Sequence, residues 1–514
     1  MMQYGANGPL FKLVRHIYDQ MLSQVKAGGK TSHTYRTEMG VLQGDPLSGL
    51  LWIIFIAVLG ETLFGTGKSP SVAGIVVKLL LMADDIALIA YTRGELDILL
   101  RGLQQYCDEN LLTISVKKSV IVAFYNSVDG KEIAEPVLLN GVPLTEEEWT
   151  NYIGVTFDSN NPLQYQRHIR RRANAAKLKA DALLRTMELS NHKIPVVELL
   201  ALYKTEVLSR MLFGAELTIT CAKIDEFHKV EMGFLRRLLR ISDTSTVEGV
   251  YLELDMLPVR IKRLEKALTF FLYASSSEGP ALVRHAMWSN YQLPPHAWAA
   301  RRSWFFALRL ELRKYGVGIP GMSGPEGIDW STLGYDQAEV TTTLITQLRT
   351  AARQQMIDSL ALKTKFSILN ASPPTAFMRY LDILSPRQRE QMTRLRLSEH
   401  YLAVERGRYT RPVTLHDERK CRLCPHGEVE DEIHVLADCN GNSTIVDARI
   451  LLGDELMKLD PKVVGVNFRS QGTNFRSLEV WSTLWNSQEE EVIKVVGRFV
   501  STCFEQVKAL GPYQ

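Results

Sequence analysis

The sequence predicts an α+β protein: first a region of helices and short antiparallel strands, then a long helical stretch, then a small element clasped by cysteines and a histidine. Three observations carry this. Two apolar β-type runs meet at an adjacent acid pair in Gly74-Ile-Val-Val-Lys-Leu-Leu-Leu-Met-Ala-Asp-Asp-Ile-Ala-Leu-Ile-Ala90, the pattern of a hairpin with carboxylates at its turn. After Asn160 the apolar residues recur at threes and fours with little strand signal. Cys421-x2-Cys424-x9-His434-x4-Cys439 places four metal-type donors within nineteen residues.

Length and composition set the frame. A chain of 514 residues is long enough for several domains, and 46% hydrophobic with 23% charged residues is the make-up of an ordinary globular protein. The net charge of +3 is too small to indicate a nucleic-acid partner, so any basic footprint must be local. Six cysteines, three of them clustered, do not read as a disulfide framework, and a reducing interior compartment is expected. The longest apolar run, Leu50 to Leu59, falls short of the ~20 residues of a membrane helix, so neither a membrane span nor a secretory signal is expected.

In chain order, Leu10 to Gln24 reads as an amphipathic helix and Tyr35 to Met39 as a strand leading into the Gly40 loop. Gly44 lacks a Cβ, which lets another body approach the backbone closely. An apolar helix, Leu47 to Leu59, follows. At the tip of the next hairpin, Asp84 and Asp85 either present oxygen ligands to hard cations such as Mg²⁺ or simply suit the turn. Leu96, Leu99, Leu100, Leu103 and Tyr106 give Glu95 to Asn110 a helical face that would lie on a sheet. Lys118 then stands on a strand.

Gly40-Val-Leu-Gln-Gly-Asp-Pro-Leu-Ser48, Ala83-Asp-Asp85, Leu112-Thr-Ile-Ser-Val-Lys-Lys-Ser119 and Asn151-Tyr-Ile-Gly-Val155 stand in one order. Together they resemble the palm of reverse transcriptases, specifically the non-LTR (LINE-type) retrotransposon enzymes. The resemblance implies an RNA-directed DNA polymerase with an RNA template, a DNA primer and deoxynucleoside triphosphates as partners. It implies Asp84 and Asp85 as ligands of two Mg²⁺ ions, Lys118 as an aid to the pyrophosphate leaving group, and Gln43 and Gly44 as the lining of the nucleotide and template pocket. An intracellular, nuclear location follows for an enzyme acting on chromosomal DNA. The sequence departs from the family pattern in three ways. No acid before the hairpin (Asp19, Glu38, Asp45, Glu61) sits in an apolar strand like the family's earlier catalytic aspartate, so residues 1–158 are expected to form a partial palm without fingers. Met82 replaces an aromatic residue, and Ser115 replaces an asparagine.

Residues 159–260 read as a helical thumb. Seven Arg or Lys between Arg167 and Arg185 flank an apolar stripe of Ile169, Ala173, Ala176, Ala180, Leu183 and Met187. A second helix carries Phe227, Val230, Phe234, Leu238 and Ile241. Arg170, Arg171, Arg172 and Lys177 on the first, and Arg236, Arg237 and Arg240 on the second, either grip phosphates or form solvated faces. Residues 261–400 read as a helical connector containing a Gly- and Pro-rich linker, Gly316 to Thr332.

Residues 401–445 read as a zinc knuckle, since Cys421, Cys424, His434 and Cys439 can close a tetrahedral shell around Zn²⁺, with His426 as a competitor for the histidine position. Its nine-residue gap fits the C-terminal Cys-Cys-His-Cys element of non-LTR retrotransposons. Residues 446–514 read as a helical tail ending in an amphipathic helix with Val492, Ile493, Val496, Phe499, Val500 and Phe504 on one face. The whole reads as the C-terminal portion of a non-LTR reverse transcriptase, the alternative being a non-catalytic nucleic-acid-binding remnant of one.

Overall fold

Local chemistry sets the first long helix. The Asp45 carboxylate accepts the Leu47 N–H at 3.2 Å and Pro46 opens the helix, which runs Pro46–Leu63. The computed structural model describes residues 7–513 apart from 37–39, 43, 64–69, 125–135, 161–164, 222–224, 294–302, 332–335, 364, 366–371, 467–474 and 476. It separates into two units, residues 1–162 and residues 163–514.

In the first unit the Pro9–Asp19 helix leaves Leu10, Leu13 and Ile17 exposed. The Pro46–Leu63 helix packs on the Arg93–Glu109 helix, and the Tyr106 hydroxyl donates to the Phe55 carbonyl at 3.0 Å across that contact. Thr92 and Glu95 form a reciprocal capping box at the start of Arg93–Glu109, which buries Leu99, Leu100, Leu103, Tyr106 and Cys107. The Pro46–Leu63 helix is longer than the apolar run seen in sequence, because neither Gly49 nor Gly60-Glu61 ends it. Its 18 residues have a mean hydropathy of 1.8, long and apolar enough to cross a membrane by length and composition, which corrects the expectation that nothing here reaches that length. In the fold it buries Ile56, Leu59 and Leu63 and leaves Leu50 and Ile53 exposed.

The antiparallel palm sheet expected from sequence is not continuous among the described residues. The strands pair two by two, in six antiparallel ladders and one parallel ladder that joins Val120–Ile121 to Thr145–Glu146. Each strand is only two to four residues long and most are closed by a tight turn, so the pairing stays local.

The second unit is almost wholly helical. Gln166–Leu189 packs on Asp225–Leu239, and Ser443–Lys458 packs on Glu490–Ala509. One hydrophobic core runs from Ile169 to Val507 and draws on residues from the segments read in sequence as thumb, connector, knuckle and tail. A second core, from Ile219 to Ala352, is built mainly on the Val259–Ser275 helix. The Gln166–Leu189 stripe buries Leu184, with Leu183 only half-buried, because the 3.6-residue period has drifted by one position at its end.

Two buried carboxylates knit this unit together. Glu253 and Arg396, both 0% exposed at their side chains, meet at 2.8 Å. Glu253 also accepts from the Tyr380 hydroxyl at 2.9 Å, and Arg396 donates to the Trp485 carbonyl at 2.7 Å and to Asn486 Oδ1 at 2.9 Å. Glu231 accepts from the hydroxyls of Tyr203 and Tyr251 and from the Val259 N–H. Burial pushes the Glu231 carboxyl up to about 7 despite those donors.

Arg396→Met should leave Glu253 buried and unpaired and lower unfolding stability by about 3–5 kcal/mol, measured by urea denaturation. Because the folded pKa of Glu231 lies above its unfolded value, its contribution is fully present below about pH 4.5 and is lost as pH rises through about 7. Glu231→Gln should therefore remove roughly 3 kcal/mol of the stability change between pH 4.5 and 8, read from urea midpoints. A variant whose stability falls across that interval as the parent's does would contradict this.

Candidate active site and metal centre

The acid pair sits where the apolar alternation places it. Leu79–Met82 pairs antiparallel with Asp85–Leu88, with Met82 opposite Asp85 and Leu81 opposite Ile86. Leu79, Leu81, Ile86 and Leu88 pack on Ile56, Leu59 and Leu99, so the strands are anchored while Asp84 and Asp85 stand exposed at the tip. The turn itself is fixed from outside: the Trp52 indole N–H donates to the Ala83 carbonyl at 2.6 Å, and Ala83 adopts φ 52°. Met82, at 54% exposure, stands beside the pair in place of an aromatic ring.

One neighbour of the pair was not singled out in the sequence. Tyr152 ends the Trp149–Tyr152 strand, which turns through Ile153 and Gly154 into Val155–Asp158. Burial raises its hydroxyl pKa first and the charge of Asp85 raises it further, which sets this side chain within the field of the acid pair. The quoted Asn151-to-Val155 motif held the signal.

Gly44 has φ 91°, and a Cβ there would meet nothing within 4 Å. Glycine is required for the backbone conformation, and the space beside it is open. Gln43 lies outside the described residues. Lys118 is exposed at the end of a 3₁₀ turn, Val116–Lys118, and not on a strand. The reason is local: the Ser119 N–H donates back to the Ser115 and Val116 carbonyls and curls the chain before Val120–Ile121. Among the described residues no third carboxylate joins Asp84 and Asp85 within ligating distance. On its own the pair offers two carboxylates, fewer than a two-metal site calls for.

The basic residues of the two thumb helices divide by what they touch. Arg172 lies 4.4 Å from the Phe213 ring centroid and is half-buried, and Arg236 donates to the Ser245 hydroxyl and carbonyl. Both are occupied with packing. Arg237 pairs with Asp181 at 2.9 Å, Arg240 with Glu390 at 3.4 Å and Arg170 with Glu226 at 3.6 Å. Arg171 and Lys177 are exposed. Surface pairs of this kind contribute little and open readily, whereas Arg172 and Arg236 are held in place by their packing and hydrogen bonds.

The cysteine and histidine pattern closes. The ligand atoms of Cys421, Cys424, His434 and Cys439 all lie within 4.8 Å of one another, and all four residues are buried. Cys421 Sγ and Cys439 Sγ are 3.8 Å apart, and Cys424 Sγ is 3.3 Å from His434 Nε2. A tetrahedral zinc site with Zn–S near 2.3 Å has S···S edges of about 3.8 Å, so the set fits. His434 Nδ1 lies 3.3 Å from a Glu428 carboxylate oxygen without making a hydrogen bond to it, while Nε2 is the ring atom that faces Cys424.

The chain is folded to bring these atoms together. Cys421 N–H donates to the Glu428 carbonyl, and a π-helical turn over His434–Asp438 returns the Cys439 N–H to the His434 carbonyl at 2.7 Å. Arg449 donates to the carbonyls of Val435, Leu436 and Cys439 from behind. A Cβ on Gly441 would fall 1.9 Å from the Leu423 carbonyl and 2.6 Å from Cys424, so this position admits only glycine. Burial pushes the Cys421 thiol up to about 12, as expected of thiols held together with no cation beside them. His426 is exposed and takes no part in the cluster.

The palm hairpin, its acid pair and the strand motifs around it all fall within one stretch recognised independently of them. Residues 8–157 match the family model described as reverse transcriptase (RNA-dependent DNA polymerase), so the first unit of this chain carries a reverse transcriptase domain.

Proposed function

We propose that this chain is the RNA-directed DNA polymerase of a non-LTR retrotransposon, adding deoxynucleotides to a DNA primer on an RNA template. The observation that carries the proposal is the rigid presentation of Asp84 and Asp85 at a hairpin tip inside the residues that match the reverse transcriptase model. In this reaction the primer 3′-hydroxyl attacks the α-phosphorus of the incoming nucleotide and pyrophosphate leaves. Mg²⁺, when bound, neutralises charge that develops on the phosphoryl oxygens.

The chain's own residues do the rest. Asp84 and Asp85 hold the metal-facing oxygens at a spacing set by the Met82–Asp85 register. Trp52 keeps the turn from shifting, because a small misplacement of reacting groups is costly. Lys118, exposed, offers a charge or a proton to the leaving pyrophosphate. Open space beside Gly44 admits the nucleotide and template base. The exposed thumb cations, Arg170, Arg171, Lys177, Arg237 and Arg240, grip backbone phosphates without reading sequence. The Cys421, Cys424, His434, Cys439 cluster takes one Zn²⁺ in a structural role. The site of action is the nucleus, where chromosomal DNA supplies the primer.

A second reading, a non-catalytic nucleic-acid-binding relative of such an enzyme, is favoured by the lack of a third carboxylate near the acid pair among the described residues. Primer extension with Mg²⁺ separates the two. Asp84→Ala should abolish nucleotide incorporation and Asp85→Ala should reduce it less, scored on a primed RNA template; primer extension retained by Asp84→Ala would remove the assignment. For the metal, elemental analysis of the purified chain should find one equivalent of zinc, absent from Cys424→Ser and unchanged in His426→Ala. Full zinc in Cys424→Ser would mean that the ligand set is wrong.

A further inference from the structure

Three cations converge on one tyrosine ring in the second unit. Arg406 lies 5.2 Å, Lys508 5.5 Å and Arg394 5.9 Å from the centroid of Tyr401. Arg394 is partly satisfied, pairing with Glu390 at 3.1 Å. Among the described residues Arg406 and Lys508 have no ion-pair partner. Two unpaired like charges held against one ring repel each other, and the attraction of each for the ring is of similar size to that repulsion. The cluster therefore brings the fold little by itself. An anion placed between them converts the repulsion into two favourable contacts.

The ring is also built into place. Tyr401 packs on the main core of the unit, and its carbonyl accepts from the Arg422 guanidinium at 3.1 Å. Arg422 stands between two of the clustered cysteines. It is clamped on both oxygens of Glu430 and donates to the Gly511 carbonyl, three residues beyond Lys508. The same guanidinium thus ties together the Cys/His element, the tyrosine platform and the end of the helix that carries Lys508.

We infer that Tyr401 with Arg406 and Lys508 forms a phosphate-binding platform for the backbone of single-stranded nucleic acid. The nature of the anion rests on the proposed function, because a polymerase of RNA templates has a single strand to hold. Charge complementarity supplies the remaining argument: an exposed lysine and a half-buried arginine at one ring suit the phosphates of a nucleic-acid backbone, and nothing in the cluster reads a base.

The test is fluorescence anisotropy of the full chain with a labelled single-stranded RNA oligonucleotide across a potassium chloride series. Arg406→Gln combined with Lys508→Gln should weaken binding and reduce the slope of log affinity against log salt by about 1.4, two phosphate contacts at ~0.7 each. Tyr401→Leu should weaken binding as well, while Tyr401→Phe, which keeps the ring, should bind as the parent does. Both charge changes are at the surface, and equal thermal unfolding of variant and parent confirms an intact fold. An unchanged affinity and salt slope in the double variant overturns the platform. So does a variant that loses only its binding to anionic phospholipid vesicles, since the partner would then be a membrane. Nucleotide incorporation is scored separately: a chain that binds RNA through these residues and incorporates nothing keeps the platform and loses the polymerase assignment.

Discussion

The buried pair of Glu253 and Arg396 is the constraint around which the second unit closes. Its members lie 143 residues apart in sequence. Through Tyr380, the Trp485 carbonyl and Asn486, and onward from Asn486 to the Ser372 carbonyl, it gathers three distant parts of the chain, around 253, 372–396 and 485–486, at one point. The Glu253 carbonyl also accepts the Met378 N–H. A guanidinium and a carboxylate wholly removed from water are tolerable only when their remaining donors and acceptors are met, and here all but a few are met by groups from other segments. A wrong arrangement of any of those segments would strand a buried charge. The pair therefore acts chiefly to specify one packing, while the leucines, phenylalanines and tryptophans around it provide the hydrophobic driving force.

The first unit rests on a different kind of order. Its strands are short and its ladders separate, and most of its cohesion comes from two helices packed under one hairpin. The acid pair at the tip of that hairpin is nonetheless held by three independent features: the strand register, the apolar underside and the indole hydrogen bond from Trp52. Precision is thus concentrated at the acid pair, within a unit that is otherwise lightly built.

What the sequence made legible was whatever is periodic or local. Leu99, Leu100, Leu103 and Tyr106 are buried as their spacing predicts, and so are all six apolar residues singled out in the last helix, Glu490–Ala509. The Cys/His spacing was enough to bring four ligand atoms together. What escaped it depends on partners far away in the chain. Arg172 and Arg236 read as free basic residues, but Phe213 and Ser245 occupy them. Lys118 left its strand because the Ser119 N–H turns back to the Ser115 and Val116 carbonyls. The extra turns of the Pro46–Leu63 helix lay outside its apolar run, in residues whose composition does not announce a helix. Tyr152 could be placed near Asp85 only once the two hairpins were folded.

The continuity of the core from Ile169 to Val507 bears on how the protein is made. The Glu490–Ala509 helix buries eleven residues against helices that emerge earlier from the ribosome. Until it arrives, those helices carry an open apolar face, and the contacts that close it reach back to Arg387, which pairs with Glu505 at 3.2 Å. Folding of this unit cannot then be finished segment by segment during synthesis; it waits for the Glu490–Ala509 helix. Until that helix has been made, the growing chain exposes hydrophobic surface, a form that chaperones retain and proteases remove.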